Sequence, residues 1–286
     1  MTAKPRIAIV GPGNLGSTLA FSLRKAGYIV EAVLSRPRSP KKSRRLAKEI
    51  RVQAMSSPAD LDADVVWFCV PDSEIARAAR AFEESSWKGR VALHSSGALT
   101  SDELGLLRMR EAAIASVHPL MTFVHDVRPS LRGVPFALEG DVRAVRAVRA
   151  ARSIVRDLGG RSYPINKKDK AAYHAWGTFA SPLLTALLAT TEQVARLAGV
   201  RPQSMKKRMF PILLQTLMNY AAFDPAQAFS GPIIRGDVET IREHLRVLRK
   251  DRVAREVYIA LANAALKYLP AKNRKVLKQA VNSRRS

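Results

Sequence analysis

With one cysteine, Cys69, the chain can hold no internal disulfide, and its stability must come from its core. Cys69 sits in the apolar run Val65-Val66-Trp67-Phe68-Cys69-Val70 and reads as a core filler. Basic and polar side chains interrupt every apolar stretch before about 20 residues, which excludes a membrane-spanning helix. No signal segment is visible, so the cytoplasm is the expected compartment. Internal repeats are absent, and no metal site is expected. Acidic residues are scarce: 24 Asp and Glu face 48 Lys and Arg, a net charge of +24. The excess reaches both halves and lacks interleaved aromatics or a nucleic-acid module. It favours attraction of anionic small molecules over specific nucleic-acid binding.

What remains is ample for a core. The 286 residues are 47% hydrophobic, enough for two globular domains. Short apolar strands are expected at 6–10, 29–34, 64–70, 90–95, 113–117 and 134–139, with a last one at 161–165. Helical patterns fill 14–26, 40–49, 73–83, 101–107 and 142–158, and Gly159-Gly160 stops the last of these. Such alternation predicts an α/β, doubly wound, mostly parallel sheet over residues 1–164. From 165 to 286 strand signals stop and an all-α domain is expected. Ala171–Leu197 reads as one long buried helix, with Pro182 a candidate kink. Shorter helices follow near 202–221, 238–249 and 252–268, and the basic tail from Lys272 is expected to fray.

The most informative segment is Ile7-Ala8-Ile9-Val10-Gly11-Pro12-Gly13-Asn14-Leu15-Gly16. It is a β-branched strand running into G-x-G-x-x-G and then a helix, the context of a dinucleotide site. Gly11 permits the tight turn, Gly13 lets a diphosphate approach the backbone, and Gly16 lets helix and strand pack closely. Asn14 and Leu15 begin the helix whose free N–H groups face the phosphates. The second strand ends Leu34-Ser35-Arg36, where an NAD site would place an acid. A hydroxyl and a guanidinium there suit a 2′-phosphate, so the expected cofactor is NADP, with Ser35 and Arg36 holding that phosphate and Arg38 a further candidate. Lys41–Arg45 reads mostly as a solvated helix start. Val70 and Pro71, after a later strand, should run beside the cofactor, with Asp72 capping the next helix.

Ligands of open α/β sheets bind outside the carboxyl ends of the strands. Two histidines fall there, in His94-Ser95-Ser96-Gly97 and in Ser116-Val117-His118-Pro119. His94 has equal claims as a structural residue; His118 is the stronger functional candidate. A third group is Lys170-Ala171-Ala172-Tyr173-His174. Lys170 and His174, four apart, share a helix face. A lysine with a lowered pKa can protonate a nascent alkoxide. The plain alternative is a solvated Lys170 and a packed His174.

Together these segments, with Pro135–Gly140 and Ser230–Asp237, resemble the β-hydroxyacid dehydrogenase superfamily: a Rossmann domain followed by a helical domain like the C-terminal part of 6-phosphogluconate dehydrogenase. The chain is most similar to a family of uncharacterised Rossmann-like proteins described as NADP-dependent oxidoreductases. The resemblance implies that Lys170 is the catalytic lysine and that His174 replaces its usual asparagine partner. The superfamily's Ser-Gly-Gly loop is missing, and His118-Pro119 stands in its place, as in prephenate dehydrogenases. There the histidine works beside a serine, here Ser95 or Ser96. It also implies a homodimer, with Arg235 clamping a substrate carboxylate; the alternative for Arg235 is a structural turn capped by Asp237.

The expectation is an NADP-dependent oxidoreductase acting on a small anionic hydroxy acid, keto acid or imine. Pyrophosphate would lie on Gly11–Gly16 and nicotinamide near Ser95, Ser96 and His118. A non-catalytic NADP(H)-binding or redox-sensing protein is the alternative.

Overall fold

The computed structural model describes residues 3–35, 40–58, 61–140 and 144–283. The chain divides into two compact units, Met1–Phe179 and Ala180–Ser286.

The first unit is an eight-stranded sheet. Its strands are β1 (Ile7–Val10), β2 (Val30–Leu34), β3 (Gln53–Met55), β4 (Val65–Phe68), β5 (Val91–His94), β6 (Ala113–Pro119), β7 (Pro135–Glu139) and β8 (Arg161–Pro164), in the order β3-β2-β1-β4-β5-β6-β7-β8. All neighbours run parallel except β6 and β7. Both faces are covered, and the alternation of side chains along β1 shows how. Ile7 and Ile9 join one core with Leu19 and Leu23 of α1 (Asn14–Lys25) and Ile154 of α5 (Val145–Asp157). Ala8 and Val10 join another with Ile75 of α3 (Ile75–Arg80) and Leu107 of α4 (Gly105–Met109). A further helix, α2 (Pro40–Ile50), follows β2. Chain order reverses at β1, between β2 and β4, which is where an open sheet binds ligands.

The expected strands and helices of this half are present. The exception is β3, a three-residue edge strand without an apolar run. A 3-10 turn begins at Asp72 with Pro71 as its N-cap and no side-chain cap bond, so Asp72 does not cap.

Past residue 165 the differences grow. The long helix expected at 171–197 is two, α6 (Lys170–Ala180) and α7 (Pro182–Leu197), broken at Ser181. Proline is tolerated at the first position of a new helix, and here it starts one instead of kinking one. Nor is the stretch buried: α7 has no buried residue. Lys170 and Tyr173 of α6 are buried and bond to β6, within the first compact unit.

The second unit continues with α8 (Pro202–Ala222), α9 (Pro225–Ala228), α10 (Pro232–Arg235), α11 (Val238–Val247), α12 (Arg252–Tyr268) and α13 (Arg274–Asn282). Its core joins Ile241 and Leu245 to Ala262 and Leu266 and to Leu277 and Val281. The tail expected to fray is therefore helical to Asn282, since Leu277 and Val281 share one face and are buried there. Among the described residues no helix is long and apolar enough to cross a membrane.

Candidate active site

The glycine loop has the shape its spacing requires. Gly11 has φ +104, and a Cβ there would lie 2.6 Å from the Cys69 carbonyl oxygen. A Cβ on Gly16 would run into the Gly11 carbonyl oxygen. Gly13 faces open space, with nothing within 4 Å. It is the N-cap of α1, which has no side-chain cap and no acid in its first turn. Helix dipole and N–H groups thus meet an uncluttered approach for an anion. Leu15 is partly buried against the core, so only its backbone is placed to serve a phosphate. The Asn14 amide donates to the Phe123 carbonyl (3.1 Å) and ties the segment after β6 to α1.

A cleft of about 920 Å³ opens from this loop, lined by Gly11, Gly13, Ser35, Lys42, Val70 and Pro71 among others. The Ser35 hydroxyl is 2.6 Å from that of Ser43. Lys42, which reads in the sequence as part of a solvated helix start, stands in the cleft wall. Arg36 and Arg38 lie outside the described residues. Beneath the loop, burial pushes the Cys69 thiol up to about 12, as suits a core filler.

Further along the same strand-end edge, β5 and β6 carry the histidines. His94 is fully buried and structural. Its Nδ1 accepts from the Ser96 N–H (3.1 Å), so its Nε2–H donates to the Thr100 carbonyl (2.9 Å). Burial holds its pKa down to about 4, and the ring is neutral. The serines after it are also engaged. The Ser95 hydroxyl accepts from the Trp67 indole (2.8 Å), and the Ser96 hydroxyl accepts from the Ala98 and Leu99 N–H groups.

Lys170 is the surprise of the site, because it is 0% exposed. Its Nζ donates to the Ser116 hydroxyl (2.7 Å) and the Ser96 carbonyl (3.1 Å), while Ser116 donates to that same carbonyl. Burial lowers its pKa to about 8, and the Glu139 charge opposes the shift. Glu139 is itself buried and accepts from the Ser101 N–H and hydroxyl. Lys170 therefore fastens α6 to the ends of β5 and β6. The plain alternative is reversed at both positions, since Lys170 is sealed and His174 exposed.

His118 and His174 come together over Gly97, with ring centroids 6.0 Å apart. A Cβ on Gly97 would sit 2.8 Å from His118 Nε2 and 2.6 Å from His174 Cδ2. A side chain at 97 would push one or both rings from these positions. His118 Nδ1 pairs with the Tyr173 hydroxyl at 3.0 Å. Arg235 belongs to the second unit, where its guanidinium pairs with Asp237 (2.8 Å). Among the described residues no group of three His, Cys, Asp or Glu could hold a metal ion.

Residues 6–94 match the model of a family described as "NADP oxidoreductase coenzyme F420-dependent", and residues 134–265 match "Domain of unknown function (DUF2520)". No curated protein matches. Among solved structures, a Bacteroides fragilis protein described as an NADP oxidoreductase is similar at TM-score 0.76 and 20% identity, over 91% of this chain and 97% of that one. Its fold is that of the Rossmann NADP oxidoreductases. An imine reductase from Myxococcus stipitatus in complex with NADP+ is similar at TM-score 0.65 and 15% identity, covering 96% of this chain and 98% of that one. A pyrroline-5-carboxylate reductase from Coxiella burnetii has TM-score 0.57 and 17% identity, covering 96% and 99%.

Within this oxidoreductase fold the sequence reading overlooked Tyr173, Ser116 and Glu139 as site residues. Tyr173 had a signal: three residues after Lys170, it occupies the same face of a helix. Glu139 had only its place in the Pro135–Gly140 segment, because it reaches the site through the antiparallel pairing of β6 and β7, opposite Ser116.

Proposed function

We propose that the chain is an NADPH-dependent reductase of a small anionic C=O or C=N compound, a member of the β-hydroxyacid dehydrogenase superfamily that works as a homodimer. One observation carries this reading: the open glycine cradle and the His118–Gly97–His174 notch lie on one strand-end edge. The residues fit the cofactor. Gly11, Gly13 and Gly16 with the start of α1 would hold the diphosphate, Val70 and Pro71 would flank it, and Ser35 with Lys42 would receive the 2′-phosphate where an NAD site places an acid. When bound there, NADPH would supply the hydride for the substrate carbon. His118, beside Gly97, is placed to polarise the heteroatom through a hydrogen bond, and the proton that completes the reduction would come from solvent water. Lys170 is sealed away and serves by holding the Ser96–Gly97 turn. Arg235 would have to leave Asp237 to meet a carboxylate.

Calorimetric titration with NADPH and NADH, then turnover on cyclic imines and 2-keto acids, tests this. NADPH should bind at least about tenfold tighter than NADH, as a charge-assisted phosphate contact implies. Binding of neither nucleotide would overturn the reading. Binding without turnover of any substrate would favour a redox sensor.

The dimer rests on α8, where Met205 is the one buried residue of 21. Phe210, Ile212, Leu214, Leu217, Met218 and Tyr220 are all exposed. Monomers rarely leave so long an apolar face in water. Light scattering should give twice 31.5 kDa at micromolar concentration; a monomer would remove this part of the proposal.

A further inference from the structure

We infer that Tyr173 is a positioning residue that fixes His118 as a neutral Nε2–H donor aimed over Gly97. The inference rests on the proposed reductase reading, in which the substrate heteroatom lies beside His118.

The geometry begins with Lys170. Its two bonds, to Ser96 and Ser116, pin the first turn of α6 to the ends of β5 and β6. Tyr173, one turn on, is thereby delivered buried to the edge of the His118 ring, with centroids 5.5 Å apart and planes at 88°. Its hydroxyl and His118 Nδ1 are 3.0 Å apart, so one donates to the other. A phenol is the stronger donor of the two, and an imidazole nitrogen the stronger acceptor, so the phenol donates to Nδ1. In a neutral ring the remaining proton then resides on Nε2. That nitrogen bonds to no described residue and faces the space a Gly97 side chain would fill.

Burial above all keeps the ring neutral. Burial first, then His174 and Lys170 from α6 and His94 from β5, hold its pKa down to about 4. Tyr173 keeps its proton: burial, and after it the neighbouring Tyr163 hydroxyl, raise its pKa. A histidine acting as a charged acid would titrate near neutrality and lose its donor as pH rises. A neutral donor gives no such inflection, and its hydrogen bond suits a heteroatom that gains negative charge as hydride arrives.

Long-range 1H–15N correlation of the histidine rings in the full chain tests this without any substrate. There are five histidines, and His118→Asn assigns the relevant signals. The expected wild-type pattern is protonated Nε2, bare Nδ1 and no titration between about pH 5 and 8. Protonated Nδ1, or a midpoint near 6.5, would overturn the inference whatever the enzyme assay shows. In Tyr173→Phe the ring should become a tautomer mixture and its midpoint should rise. kcat should fall about tenfold or more with NADPH affinity unchanged, in line with loss of one orienting hydrogen bond. A shifted tautomer with unchanged kcat would show that Tyr173 does not position the reaction. Absence of nucleotide binding would instead remove the reductase reading and leave the tautomer result standing.

Discussion

Replacing Lys170 with alanine is expected to cost about 3–5 kcal/mol, the scale for breaking a buried charged network. The ammonium is fully buried, keeps its charge at neutral pH with a pKa of about 8, and bonds to Ser96 and Ser116. Alanine removes those bonds, leaves the Glu139 carboxylate with less compensation, and opens a void the length of a four-carbon chain. In a unit of this size the melting temperature should drop by about 10 °C. Turnover should fall further than stability accounts for, by about a hundredfold, because the turn that brings Gly97 between the two imidazoles loses its tether. Lys170→Met keeps most of the volume and should recover part of the melting temperature but little of the activity. Thermal denaturation and steady-state rates on the same preparations decide the matter. An alanine variant that melts within about 2 °C of wild type would show that Lys170 does not hold the site together.

The second large effect separates two glycines three residues apart. Gly16→Ala drives a methyl group into the Gly11 carbonyl oxygen, and backbone cannot yield as a flexible side chain would. Helix α1 must back away from β1, at about 3 kcal/mol or more, and NADPH binding should be lost with it. At Gly13 the added methyl meets nothing within 4 Å. Gly13→Ala should melt like wild type and still bind NADPH at least about tenfold more weakly, because the methyl occupies the approach of the diphosphate. Equal affinity in Gly13→Ala and wild type, measured by calorimetry, would mean that the nucleotide does not lie on this loop.

Much of this was legible in the sequence for a plain physical reason. The glycines at 11 and 16 meet steric demands that other residues cannot, and Gly13 leaves its approach open, so their spacing carries geometry directly. His118 was legible from its place at the end of a strand. The α6–α7 break was harder, because a proline in a helical run fits both a kink and a new start, and only packing chooses. Helix α13 was hidden by composition: lysines and arginines on its wet side mask Leu277 and Val281 four residues apart. The sealing of Lys170 could not be read locally at all. It depends on acceptors 54 and 74 residues earlier in the chain.

The raised pKa of Cys69 has a consequence for how the protein meets oxidative stress. Almost none of its one sulfhydryl is ionised at neutral pH, so peroxide and alkylating reagents find no nucleophile there. A thiol held protonated in this way is a slow target for such reagents even though it borders the cleft.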